Sequence, residues 1–307
     1  MATISSKDTI LIFGGTGFIG SYLIRRLAKT HAKIILACRN VESNSSVKIC
    51  GAVGQISLLK INTNNLQEID NAVAKANYVI NLVGIMFEDK KNKFMSIHAT
   101  LAHNIAKSSS KHRVKSLVHM SALGTDRAKT SRYAASKSQG EKLVLQAYPN
   151  AIIIRPSVVF GPEDKFINLF HKISKLSPFI PLIGGGHAKM QPVYVADVAE
   201  AISLALCIEP SATTSRILEL AGPKIYSLYS LISYIVRCSN LNRVFLHIPF
   251  SIAKLTAILL QYLPSPIFTV DQVELLKYDN ILHGKNGLKE LGIKPTPLEA
   301  IVPSYIN

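Results

Sequence analysis

The segment from Thr9 to Gly20 constrains the fold of this chain more than any other. Ile10, Leu11, Ile12 and Phe13 form an unbroken apolar run, which reads as a buried strand. Glycines follow at 14, 17 and 20, with Gly15, Thr16, Phe18 and Ile19 between them. Residues 21–28 then read as a helix with Leu23, Ile24 and Leu27 on one face. Strand, glycine turn and helix in this order form a cradle for a dinucleotide pyrophosphate. In that reading Gly14 allows the tight turn, Gly17 lets phosphate approach the backbone, and Gly20 lets the helix pack close to the strand. The free amides of the first helical turn face the phosphate charge. An ordinary glycine-rich turn is the competing reading, and the flanking strand and helix weigh against it.

Strand and helix signals alternate through the first two thirds of the chain. Strands are expected at 10–13, 33–38, 56–60, 78–83, 116–120, 151–154 and 216–220. Helices are expected at 22–29, 66–75, 97–109, 133–148 and 198–206. Continuous apolar strands joined by helices predict an α/β fold, a doubly wound parallel Rossmann sheet of about seven strands. After residue 160 prolines and glycines punctuate the sequence. The expected division is a nucleotide-binding domain over 1–160, completed by 188–222. A smaller, discontinuous, mainly helical lobe takes 161–187 and 223–307.

The formal charge of +16 favours acidic partners. The lysines are spread out, however, with no basic stripe interleaved with aromatics, so nucleic-acid binding is not expected, and a lysine-biased surface is the plainer reading. Cys38, Cys50, Cys207 and Cys238 lie far apart, which suggests free thiols in a reducing, cytoplasmic compartment. His98 and His103 are five apart, a poor fit to one helical face, and no metal site is expected. The opening residues lack a secretory apolar region, and no run of about 20 apolar residues could span a bilayer.

Further along, Arg39 and Asn40 follow the second strand where an NAD-preferring site usually offers a carboxylate. A guanidinium suits a 2′-phosphate, so NADP(H) is expected over NAD(H); a surface arginine without a ligand is the alternative. Asn81, Leu82, Val83 and Gly84 end the fourth strand with room for adenosine and its ribose, or form a plain strand end. Tyr133 and Lys137, four apart, face one side of a helix. A nearby ammonium is expected to lower the phenol toward working pH, so that it exchanges a proton with a substrate oxygen. Pro156, Ser157 and Val158 leave the sixth strand, where backbone could meet a nicotinamide carboxamide; a strand-to-loop junction is the bland reading. Asp197 is expected to cap the helix that follows it.

Together, Gly14, Gly17 and Gly20, residues 81–84, Tyr133 with Lys137, Arg155 with Pro156, and residues 192–197 resemble the extended and atypical short-chain dehydrogenase/reductases. The resemblance covers nearly the whole chain. Segments 156–170 and 191–199 are more specifically similar to the nucleotide-binding accessory subunit family of respiratory complex I and its bacterial homologues. That resemblance implies bound NADP(H) as a structural or sensing ligand, complex I subunits or quinone as partners, and a peripheral place on the cytoplasmic face of the inner membrane. Two positions depart from the active members. Ala122 stands where a Ser or Thr polarises the substrate oxygen, with Ser121 one step early and Thr125 close by. Asn62 belongs to an amide-bearing stretch where an Asp is usual. Losing one such donor costs a factor of about 10²–10³ in rate, so the pattern favours cofactor binding over turnover. Three readings stay open: a complex I accessory or assembly factor, an active NADP-dependent oxidoreductase or epimerase on a small or isoprenoid substrate with Tyr133, Lys137 and Ser121 as its catalytic set, and a redox sensor.

The most apolar stretch, 250–263, has Ile252, Leu255, Ile258, Leu259 and Tyr262 at helical spacing, with Pro264 ending it. Thr269 and Gln272 have the spacing of a capping box. These helices either cover a substrate pocket or dock on a hydrophobic partner or an anionic lipid surface.

Overall fold

A computed structural model describes residues 4–209, 217–261, 266 and 268–306. Arg216, Tyr262, Leu263 and Pro264, used in the readings above, lie outside the described residues. The first strands are β1 Thr9–Phe13, β2 Lys33–Cys38, β3 Ile56–Lys60, β4 Tyr78–Asn81, β5 Ser116–Met120 and β6 Ile152–Pro156. Then come β7 Val159–Phe160, β8 Phe179–Ile183, β9 Lys189–Met190, β10 Val193–Tyr194, β11 Ile217–Leu220, β12 Tyr226–Ser227 and β13 Val244–Ile248. The long helices are α1 Phe18–Leu27, α2 Leu66–Val73, α3 Leu101–Lys111, α4 Arg132–Ala147, α5 Ile167–Leu176, α6 Val195–Ala205, α7 Leu228–Cys238 and α8 Phe250–Leu260. Short α9 Val270–Leu275, α10 Gly287–Glu290 and α11 Leu298–Ile301 follow.

Seven strands form one parallel sheet in the order β11-β6-β5-β4-β1-β2-β3. Its two faces follow from the two-residue period of a strand. Ile10 and Ile12 of β1 pack with Leu23, Ile24 and Leu27 of α1 and with α6. Leu11 and Phe13 point the other way, into a core with α2 and α3. Both faces are covered, which is why these strands are apolar throughout. Parallel order reverses between β1 and β4, so the crevice at the carboxyl ends of those strands is the switch point where ligands bind in such sheets.

Two expectations need adjustment. The helix expected at 97–109 begins with a π-turn over Met95–Thr100 before α3. Asp197 does not cap α6: Tyr194 holds the N-cap position, and the Asp197 carboxylate accepts from Thr296 N at 2.7 Å and Thr296 Oγ1 at 2.9 Å. The lobe after 160 is mainly helical, as expected, and adds short two-stranded sheets, β9 with β12 and β8 with β13, while β10 pairs with β7. A third apolar core there joins Phe160, Ile180, Leu182, Leu231, Ile232 and Ile235.

Arg155 turns out to be structural. Its Nε donates to Glu141 Oε1 at 3.0 Å and its Nη2 to Glu141 Oε2 at 2.6 Å. Asp126 and Glu219 stand at 3.2 and 3.3 Å from Nη1. This fork locks β6 to α4, and removing one member would leave a buried charge unpaired, a cost of about 3–5 kcal/mol.

Candidate functional site

At the C-terminal end of β1 the chain turns through Gly14, whose φ of +76° lies in the left-handed region. The Gly17 amide donates to Gly14 O at 3.2 Å and closes the turn. Gly17 is the N-cap of α1; no side chain caps it and no acidic residue stands in the first turn. Ser21 N makes the first helical bond, to Gly17 O at 3.0 Å. The amides of Phe18, Ile19 and Gly20 therefore have no partner within the helix, and they concentrate partial positive charge at its start. Thr16 and Gly17 are exposed there, while Gly15 and Gly20 are buried against each other. Such an uncapped, carboxylate-free end fits a pyrophosphate.

The rim of the crevice is built from the ends of neighbouring strands. Arg39 is exposed just beyond the buried Cys38 and makes no ion pair among the described residues. Asn40 turns inward on its own loop, accepting from Glu42 N at 3.1 Å and Ser43 N at 3.3 Å. Asn62 does the same, accepting from Asn64 N at 3.1 Å. Leu82 N donates to Phe13 O at 2.9 Å, and Val83 N to Asn81 Oδ1 at 3.1 Å. Gly84 is exposed beside Lys137, and a Cβ there would stand 3.2 Å from Lys137 Nζ.

Tyr133 and Lys137 come together with two histidines that spacing alone had passed over. Asn81 Oδ1 accepts from Val83, so its Nδ2 donates to His119 Nδ1 at 3.1 Å. The His119 proton then lies on Nε2, which is buried without a partner. Ile85 N donates to His98 Nε2 at 3.0 Å, which leaves the proton on Nδ1 to donate to Ser136 Oγ at 2.8 Å. Ser136 Oγ in turn donates to Tyr133 O at 2.7 Å. Burial, helped by the Lys137 ammonium, pushes His98 down to about 2 and His119 down to about 3, so both stay neutral. His98 also stacks on Phe94 and meets the Tyr133 ring edge to face. No local pattern announces His98; the π-turn that aims it at Ile85 is a tertiary feature.

The expected activation of Tyr133 is reversed. Burial and the Asp271 carboxylate push its phenol up to about 12. Asp271 stands there because it accepts from Ser131 Oγ at 2.8 Å and from Arg132 N and Tyr133 N at the start of α4. Lys137 is itself pushed down to about 8 by burial, and its Nζ donates to Met120 O at 3.0 Å. Ser121 Oγ is buried and unpartnered, whereas Thr125 Oγ1 is held by Glu141 Oε1 at 3.4 Å. Lys137 therefore has two spare donor protons, and its bond to Met120 O places it at the residue between His119 and Ser121, whose ring N–H and hydroxyl are orphaned. Unsatisfied polar groups buried together call for a polar occupant. The sugar and amide of a dinucleotide fit that requirement.

Pro156, Ser157 and Val158 sit at the far side of the crevice, beside a residue that sequence reasoning missed. Asn280 Oδ1 accepts from Ser157 Oγ at 2.6 Å and Val158 N at 3.2 Å, and its Nδ2 donates to Leu123 O at 2.9 Å. Its backbone pairs with Lys189 and Gln191. Ser157 N is bound to Leu220 O. Both amides offered to a nicotinamide carboxamide are thus already engaged inside the chain.

The model of the NAD dependent epimerase/dehydratase family matches residues 10–218. NADH dehydrogenase [ubiquinone] 1 alpha subcomplex subunit 9 of Arabidopsis thaliana is 34% identical, over 96% of this chain and 76% of that protein. The Mus musculus protein of the same name is 32% identical, over 94% of this chain and 77% of its own length. Among solved structures, a triphenylmethane reductase of Citrobacter sp. superposes with a TM-score of 0.76 at 19% identity, covering 97% of this chain and 99% of that one. The dTDP-glucose 4,6-dehydratase of Streptomyces venezuelae, solved with NAD, gives 0.74 at 15%, over 97% and 95%. These structures share the doubly wound fold, and the sequence relatives match nearly all of this chain and about three quarters of their own length. The protein belongs to the NAD-dependent epimerase/dehydratase family and is a homologue of the alpha subcomplex subunit 9 of mitochondrial NADH dehydrogenase.

Proposed function

We propose that the chain is an NADP(H)-binding accessory or assembly factor of a respiratory NADH:ubiquinone oxidoreductase. The observation that carries this reading is the similarity of nearly all of this chain to subunits of that enzyme. The site supports binding over turnover. Its glycine cradle has every part, while its phenol is a poor proton carrier at neutral pH and Ala122 offers no donor. When bound, the cofactor would supply hydride chemistry; the chain's own share is to hold it. The α1 amides would take the pyrophosphate, and Lys137, Ser121 and His119 would take the nicotinamide end.

The choice of NADP(H) rests on Arg39, a free guanidinium with no carboxylate at the end of β2. Arg39→Gln is expected to weaken NADPH binding about tenfold or more and leave NADH unchanged, because only the 2′-phosphate loses a charge-assisted bond. Calorimetry on both reduced cofactors checks it. Tighter NADH than NADPH binding by the unmodified chain overturns the preference.

Attachment beside a membrane, on the cytoplasmic face and near quinone, is part of the same proposal. α8 buries Ala253 and Ala257 but leaves Ile252, Leu255, Ile258 and Leu259 exposed, the last at 73%. Among the described residues no helix is long and apolar enough to cross a membrane. An outward apolar face on such a helix suits lying in an interface. Native-gel migration of membranes from the source cell tests the assembly reading: the chain should travel with NADH:ubiquinone oxidoreductase or its partial assemblies. Migration solely as a free protein overturns it.

A further inference from the structure

The described residues hold a second concavity, built from other parts of the chain than the glycine turn. It is an open cleft of about 440 Å³ between α7 and the turn that enters β13. α7 brings Tyr229, Ser233 and Arg237 to it, and the turn brings Asn242, Arg243 and Phe245. Arg243 donates from Nε to Ser174 O at 2.6 Å and from Nη1 to Asn242 O at 2.8 Å. Those bonds fix the plane of its guanidinium and leave Nη2 without a partner among the described residues. The Arg237 side chain is exposed and makes no ion pair or hydrogen bond among the described residues. Ser233 Oγ is buried without a partner. The Tyr229 and Phe245 rings meet edge to face at 5.2 Å and give the cleft an apolar wall. No carboxylate lines it.

The charge around the cleft is equally one-sided. Residues 165–196 and 220–270 contain no Asp or Glu. They carry Lys165, Lys172, Lys175, Lys189, Lys224, Arg237, Arg243 and Lys254, of which Lys224 and Lys254 pair with Glu299 and Glu274 from outside these spans. The same region exposes apolar side chains. Phe179 and Val244 pair across β8 and β13 and are about half exposed, Leu246 follows on β13, and α8 continues from there. Positive charge, an unpaired hydroxyl and an apolar border are what an acyl-bearing phosphate needs.

We propose that this cleft binds the phosphoryl headgroup of an anionic membrane lipid, with Arg237 and Arg243 on the phosphate oxygens, Ser233 Oγ donating to one of them, and the start of the acyl body along Tyr229 and Phe245. The proposal deepens the membrane attachment argued above and rests on it for the source of the ligand. Two forked cations on one phosphate give register and selectivity, whereas the α8 face alone senses only apolar depth.

Equilibrium binding to phosphatidylcholine vesicles, with and without phosphatidylglycerol, tests it. The unmodified chain should prefer the anionic vesicles. R237Q/R243Q should lose about tenfold or more of that binding, while K29Q/K33Q, which removes two equal charges at the opposite, N-terminal end of β2, should lose much less. Unchanged melting temperatures confirm that the variants fold. If R237Q/R243Q binds anionic vesicles like the unmodified chain, the headgroup site is overturned, although attachment through α8 stands. If neither vesicle is bound, attachment itself fails, and the lipid source fails with it. In that case titration with inorganic phosphate and glycerol 3-phosphate shows whether the cleft takes a soluble phosphoryl group, which would also overturn the lipid assignment.

Discussion

Gly20→Ala should cost the chain at least about 3 kcal/mol of stability and abolish dinucleotide binding. A Cβ at that position would stand 2.1 Å from Gly15 O and 2.5 Å from Gly15 C. Both are backbone atoms of the tight turn, so no side-chain rotation relieves the overlap. Relief would require α1 to move away from β1, opening the core in which Leu23, Ile24 and Leu27 are fully buried. Since domains are stable by about 5–15 kcal/mol in total, a large share of the folded population would be lost. Gly17→Ala is the informative contrast. Gly17 has φ −84° and ψ −178°, comfortable for any residue, and a Cβ would come no closer than 3.4 Å to Gly14 O. Its stability should stay within about 0.5 kcal/mol of the parent, while dinucleotide affinity falls about tenfold, because the methyl would stand where phosphate approaches. Chemical denaturation and calorimetry on the two variants separate the effects. A Gly20→Ala protein with the parental midpoint would refute the packing argument.

Mild acid should destabilise the protein before its carboxylates titrate. His98 and His119 are held neutral in the fold, near 2 and 3, chiefly by burial. In the unfolded chain each takes up a proton near the ordinary value of 6.5. The sign follows: the folded pKa is depressed, so the contribution is complete above about 6.5 and is lost as pH falls toward the folded values. From about pH 7 to about pH 5.5 each histidine removes roughly 1.2 kcal/mol, about 2.5 kcal/mol for the pair. Depressed carboxylates such as Asp70, near 2, act only in stronger acid. Denaturant midpoints measured across this range should fall steadily, and His119→Gln should halve the slope. A flat profile between those two pH values would show that the imidazoles reach solvent in the native state.

The seven strands and the cradle could be read from residues 10–20 and the apolar runs because both signals are local. The unbroken apolar run of β1 and the spacing of Leu23, Ile24 and Leu27 depend on neighbours a few positions away. The capping box at Thr269 and Gln272 is equally local, and it forms as expected. What escaped depends on distant contacts. The Tyr133 phenol is raised by burial and then by Asp271, which arrives from 138 residues downstream. The Asp197 carboxylate, three positions into α6, found Thr296 instead of its own helix start. α8 has an amphipathic spacing in sequence, yet Ala253 and Ala257 face inward with Phe250, and its large aliphatics outward, a choice set by the distant partners Val273 and Phe268. Asn280 is a lone amide in an isolated β-bridge to Met190, and nothing near it in sequence forecasts a role.

That lone amide has a consequence for how the protein can be divided. Asn280 touches the exits of β5 and β6 and the strand before β10, all from a tail that follows the last strand of the sheet by some sixty positions. The tail is therefore a keystone of the crevice, not an appendage to it. A nucleotide-binding fragment cut before this residue would carry all seven strands and still lack the clasp that shapes its own mouth.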